Sequence, residues 1–146
     1  MNNVSWQYND GGRSGAGYRG DAGDCVVRAI AIATEKQYQE VYVALNALAS
    51  TEHPRKRRRS SSRNGVNKST YTKYLASLGW EWTATMHIGS GCKVHLRADE
   101  LPAGNLIVRA SKHLVAVIDG VVHDTYDSTR NGTRCVYGYW RKPKEA

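Results

Sequence analysis

The stretch 24-DCVVRAIAIAT-34 decides the fold. Behind Asp24 and Cys25 come Val26, Val27, Ala29, Ile30, Ala31, Ile32 and Ala33, with Arg28 the one interruption. A helix that is apolar on nearly every side must be buried, so this segment predicts a central helix packed on several others or on a sheet. Asp24 has the side chain of a good N-cap, which puts Cys25 in the first turn. The residues before it, 9-NDGGRSGAGYRGDAGD-24, are rich in Gly and Asp and carry no hydrophobic period. They predict an irregular, flexible loop over 9–23.

Two more helices follow. Thr34 with Gln37 three residues on has the pattern of a capping box and predicts a helix over about 35–49, with Tyr38, Val41, Tyr42, Leu45 and Leu48 on one face. Residues 50–66 carry Ser, Pro, Arg and Asn-Gly, and predict an exposed or disordered loop. A third helix, 69–78, places Tyr71, Tyr74, Leu75 and Leu78 on one face and stops at Gly79. Beyond Gly79 the pattern turns to strands. Trp80–Ile88 alternates, 97-RADEL-101 predicts one helical turn before Pro102, and 105–111 and 135–141 read as strands. Between them, 113-HLVAVIDGVVHDTYD-127 reads as a hairpin: Asp119-Gly120 is a preferred type I′ pair with β-branched residues on both sides. Helices followed by an antiparallel sheet make the class α+β, and 146 residues without an internal repeat fit a single domain, 1–146.

Charge and cysteine usage narrow the function classes. The formal charge is +8, but six basic residues (Arg55, Lys56, Arg57, Arg58, Arg59 and Arg63) sit in 55-RKRRRSSSR-63, and without them +2 remains. This is a nearly neutral domain with a basic loop, which weakens an argument from overall charge to nucleic acid. Lacking interleaved aromatic residues, the run predicts at most a weak, salt-sensitive contact with phosphates. No run approaches the roughly 18 apolar residues of a membrane span, and the polar start MNNVSWQYND lacks the apolar core of a signal peptide, so a cytoplasmic protein is expected. Three cysteines, Cys25, Cys92 and Cys135, form an odd set without CxxC spacing, which disfavours a disulfide framework or a zinc ribbon and leaves at least one free thiol.

The chemistry centres on Cys25. A helix N-terminus supplies partial positive charge and unpaired N–H groups, which favour a thiolate and can hold an oxyanion. A thiolate nucleophile needs a base, and the base needs an orienting group. If Asp119-Gly120 is the turn, Ile118 faces Val121 and Val115 faces Asp124, so Asp124 lies diagonally across from His113 on one face of the hairpin. His123 and Asp127 fall on the other face, and a one-residue slip would exchange these roles. Cys92, in 89-GSGCKV-94, is the second candidate nucleophile but has no helix start to activate it; Cys135 reads as structural. The glycines of 11-GGRSGAGYRG-20 lack the Gly-Lys-Ser/Thr ending of a phosphate loop and read better as a cleft wall, together with 89–93. No ligand spacing supports a metal site, and no cofactor is expected.

With Cys25 heading a buried helix, His113 opening a strand and Asp124 on the next one, the chain resembles the papain-like cysteine peptidases. It is most similar to their compact bacterial and phage-encoded members, including the peptidases that cleave leader peptides at double glycines. The resemblance rests on 23-GDCVVRAIAIAT-34 and 113-HLVAVIDGVVHDTYD-127. It implies Cys25 as nucleophile, His113 as base and Asp124 as orienting acid, acting on a peptide or protein substrate through a thioester. Peptidase, deamidase and transglutaminase chemistry share these steps. The family often has a Gln ahead of the cysteine to complete the oxyanion hole. Here no Gln occurs between Gln7 and Cys25, and Arg19, Asp21 and Asp24 occupy the neighbourhood as oxyanion or cleft candidates. The alternative is an inactive papain-like fold that binds a host protein or nucleic acid through its basic loop.

Overall fold

The apolar 26–33 run needs cover on all sides, and the fold supplies it with a sheet on one side and two helices on the other. The structure is a computed structural model that describes residues 5–19, 23–52, 60–87 and 89–143. It has α1 (Cys25–Thr34), α2 (Tyr38–Ser50) and α3 (Lys68–Ser77), and strands β1 (Trp6–Tyr8), β2 (Glu81–Ala84), β3 (Asn105–Ala110), β4 (His113–Ile118), β5 (Val121–Asp124) and β6 (Val136–Arg141). The six strands form one sheet in the order β1-β5-β4-β3-β6-β2, antiparallel except for the β1–β5 pair. The class is α+β, with the helices N-terminal to all strands but β1.

The sheet is covered on both faces. On one, α1 packs against β4 and β3, with α2 and α3 behind it; Val27, Ile30, Val41, Leu45, Leu75, Ile107 and Ala116 are sealed from solvent there. On the other, Leu106, Val108, Val115, Val117 and Val136 pack under Leu96 and Leu101 from the segment before β3. Strands buried on both faces read as continuous apolar runs, which is how 114–117 appears in sequence. The hairpin register is Ile118 to Val121 and Ala116 to His123, and Asp119 and Gly120 both have positive φ, 47° and 82°, as a type I′ turn demands.

Several sequence expectations need correction. β1 was not foreseen: three exposed residues among polar neighbours carry no period, and the strand exists because its backbone pairs with β5. The capping box does not form. Thr34 ends α1 and bonds back to the Ile30 carbonyl at 2.6 Å, Glu35 turns left-handed at φ 60°, and Gln37 precedes α2. Asp24 precedes α1, but its carboxylate turns away from the helix N–H groups toward Arg28, Tyr38 and Arg13. Residues 9–18 are a turn organised by Asp10, whose carboxylate accepts from the N–H groups of Gly12 and Ser14. Residues 60–66 are built into the helical layer. Ser62 is buried and donates to the Tyr42 carbonyl at 2.6 Å, and Ser60 bonds Thr70 at 2.6 Å. Cys92 and Cys135 are joined in a disulfide, with Cα atoms 5.8 Å apart. Linear spacing hid this pair, because 94–96 runs beside 134–136 only in the fold. Among the described residues no helix is long and apolar enough to cross a membrane.

Candidate active site

Helix α1 begins at Cys25, and β4, packed against it, begins at His113. The end of β5 brings Asp124 beside His113. The His113 Nε2–Asp124 Oδ2 distance is 2.6 Å, the ring is almost wholly buried, and Asp124 is 2% exposed. Asp127, the other carboxylate weighed for this role, accepts from the Thr129 N–H and hydroxyl. With Nε2 committed to Asp124, Nδ1 is the nitrogen left for the Cys25 thiol. Disulfide formation between the other two cysteines leaves Cys25 as the free, half-buried thiol, so Cys92 is removed as a candidate nucleophile.

The three groups shift one another. Burial pushes the Cys25 thiol up, but the hydrogen bond and charge of His113, the Leu114 backbone and the Arg28 charge outweigh it and hold the thiol below its ordinary value. Burial likewise pulls His113 down, and bonding to Asp124 and Cys25 outweighs that and raises it. Asp124 resists the upward push of burial because His113, Ser128 and the Thr125 N–H stabilise its charge. A lowered thiol beside a raised imidazole moves the balance from two neutral groups toward the thiolate–imidazolium pair.

Asp124 is fixed by four donors. Oδ2 takes His113 and the Ser128 hydroxyl at 2.8 Å; Oδ1 takes the Thr125 N–H at 2.7 Å and Arg28 Nη2 at 3.3 Å. Arg28 reaches Asp24 with its other terminal nitrogen, and Asp24 also accepts from the Tyr38 hydroxyl at 2.6 Å and lies 3.4 Å from Arg13 Nε. Arg28, read from sequence as an interruption, links the start of α1 to the end of β5.

Cys25 and His113 both line a cleft of about 690 Å³. Its walls come from Gly23–Val26 and from two places that sequence reasoning missed: Asn64–Lys68 with Tyr71, and Arg109, Lys112 and Tyr126 around His113. Tyr126 is 48% exposed, and its ring centre lies 5.6 Å from that of His113. Lys112 and Arg109 flank His113 in the hairpin and its β3 partner, so neighbourhood in the predicted sheet was the available signal. Of the loops expected as walls, among the described residues only Gly23 of the 9–23 segment lines the cleft, and none of 89–93 does. Arg19 is exposed and its carbonyl accepts from Arg63, so it stands outside the cleft. Asp24 is in the wall, but its carboxylate is occupied by its partners and is no oxyanion donor. Asp21 and the basic residues Arg55, Lys56, Arg57, Arg58 and Arg59 lie outside the described residues. The chain matches no family model, no curated protein and no solved structure.

Proposed function

We propose that the protein is a thiol hydrolase of the papain-like kind, cleaving an amide or isopeptide bond of a peptide or protein with Cys25, His113 and Asp124. The observation that carries this reading is one cleft lining that holds a thiol at a helix start and a histidine whose Nε2 is bound by a buried carboxylate, the thiol and the ring lying close enough to shift each other. Asp124 accepting from Nε2–H fixes the tautomer that leaves Nδ1 free to take the thiol proton. The thiolate attacks the carbonyl carbon, and the unpaired N–H groups of the first turn of α1 face the developing oxyanion. His113 then protonates the leaving nitrogen, the C–N bond breaks and a thioester remains. Water, or an amine in a transfer reaction, gives its proton to His113 and displaces the sulfur. A cytoplasmic setting, in a bacterium or an infected host cell, is part of this proposal, and the Cys92–Cys135 disulfide counts against it, because such bonds persist mainly outside the reducing cytosol. The binding-module alternative rests on the 55–63 run, of which the structure describes Arg63 alone among the six basic residues.

The test is the rate of Cys25 alkylation by iodoacetamide against pH. The proposal expects labelling to persist well below the ordinary thiol value of about 8.5. It also expects His113→Ala to return the profile to that value. A native thiol that titrates like a free cysteine overturns the enzyme and leaves the binding module.

A further inference from the structure

Charge on the described walls of the cleft is one-sided. Among the described residues its lining holds one carboxylate, Asp24, which is buried and bound by Arg28 and Tyr38. The Arg28 charge is balanced in turn between Asp24 and Asp124. The Cys25–His113 pair is neutral as a whole in either proton arrangement. What remains on the walls is Lys68 at the start of α3, Arg109 on β3 and Lys112 immediately before His113. No ion pair joins any of these three to a carboxylate among the described residues.

Arg109 is the most constrained of the three. Its guanidinium lies 5.3 Å from the centre of the Tyr137 ring and near enough to the hydroxyl of buried Tyr71 to act on it electrostatically. Tyr71 is close enough to Cys25 for the thiol's charge to bear on that hydroxyl. A guanidinium held against an aromatic face keeps further donors for a planar anion, and its rigidity lowers the entropy cost of binding one. Lys68 and Lys112 are exposed and add long-range attraction.

We propose that this cleft selects an acidic peptide, one carrying a carboxylate side chain beside the scissile carbonyl, with Arg109 as the residue that binds that carboxylate. The inference rests on the thiol-hydrolase reading for the reaction, but the charge of the cleft is testable without turnover. Iodoacetate and iodoacetamide consume the same thiolate and differ in charge, so the ratio of their rates at Cys25 cancels any change in the thiol's acidity. Relative to the same ratio for glutathione, Cys25 should favour iodoacetate by about tenfold at low ionic strength. Salt should erase the preference in the unmodified protein, Arg109→Gln should remove most of it, and Arg109→Lys should retain part.

A ratio equal to that of glutathione overturns the proposal, and a raised ratio that Arg109→Gln leaves unchanged overturns the role of Arg109. A blocked Glu-containing peptide should protect Cys25 from iodoacetamide at lower concentration than its Gln counterpart. Equal protection by the two peptides, or by inorganic phosphate at the same concentration, overturns the acidic-peptide assignment. Failure of the hydrolase reading would appear elsewhere, as an ordinary iodoacetamide pH profile with the charge ratio intact.

Discussion

Asp24 and Asp124 are buried to the same degree and bind opposite ends of one guanidinium, but the rest of their surroundings differ. Asp24 meets Tyr38 and Arg13, groups that keep their protons at any physiological pH. Asp124 meets His113, which it helps hold above the ordinary imidazole value and which shares a cleft with the Cys25 thiol. Burial and charge pairing alone therefore do not mark a reactive carboxylate. The mark is a partner that can pass a proton onward into a cleft.

The sharpest way to break this comparison is to neutralise each carboxylate in turn. Asp124→Asn should cost about 10²- to 10⁴-fold in hydrolysis, and in acid-side alkylation of Cys25 it should move the profile toward that of a free thiol. An amide facing Nε2 can donate to it, which favours the tautomer with the proton on Nδ1, and that nitrogen then cannot accept from the thiol. Asp24→Asn should do the reverse. It takes a charge away from Arg28 and Arg13 in a buried cage and should lower unfolding free energy by about 3 kcal/mol, with a less than tenfold change in alkylation rate for the folded protein. Denaturant titration and alkylation kinetics on the two variants read both quantities. Equal effects on the thiol would mean that the two carboxylates form one unit through Arg28.

The two sites were not equally legible. His113 and Asp124 could be paired from sequence because an Asp-Gly turn fixes hairpin register by counting, and the diagonal contact follows from that register. Cys25 was legible because it stands directly ahead of the apolar run, broken only by Arg28, that marks a buried helix. The partners of Asp24 were not, since Tyr38 reaches it only after α1 and α2 have folded against each other. Ser60 and Ser62 read as solvent loop for the same reason: hydroxyls that satisfy buried carbonyls and other hydroxyls are invisible until their partners are in place. The pairing of Cys92 with Cys135 and the second cleft wall at 64–68 likewise depend on contacts between distant segments.

The smallest effects test whether the hydroxyl donors repeat the same division. Tyr38→Phe removes a bond to Asp24 and should cost about 1–2 kcal/mol of stability, as expected for a buried hydrogen bond to a charge. Ser128→Ala removes the corresponding bond to Asp124 and should cost about 1 kcal/mol, with Thr125, Arg28 and His113 still in place. The two should separate in acid. Asp124 is held below its ordinary value, so its contribution to stability is complete above the unfolded value of about 3.9 and is lost as pH falls through the lower folded value. The Ser128 bond is one cause of that lowering, and without it the folded value rises toward the unfolded one. The loss of stability in Ser128→Ala should therefore be full at neutral pH and shrink below about pH 3.9, as the native and variant carboxylates both become protonated. Stability measured by denaturant at neutral pH and in acid checks this. A Ser128→Ala deficit that stays constant through the acid range would show that the hydroxyl packs against the site without stabilising its charge.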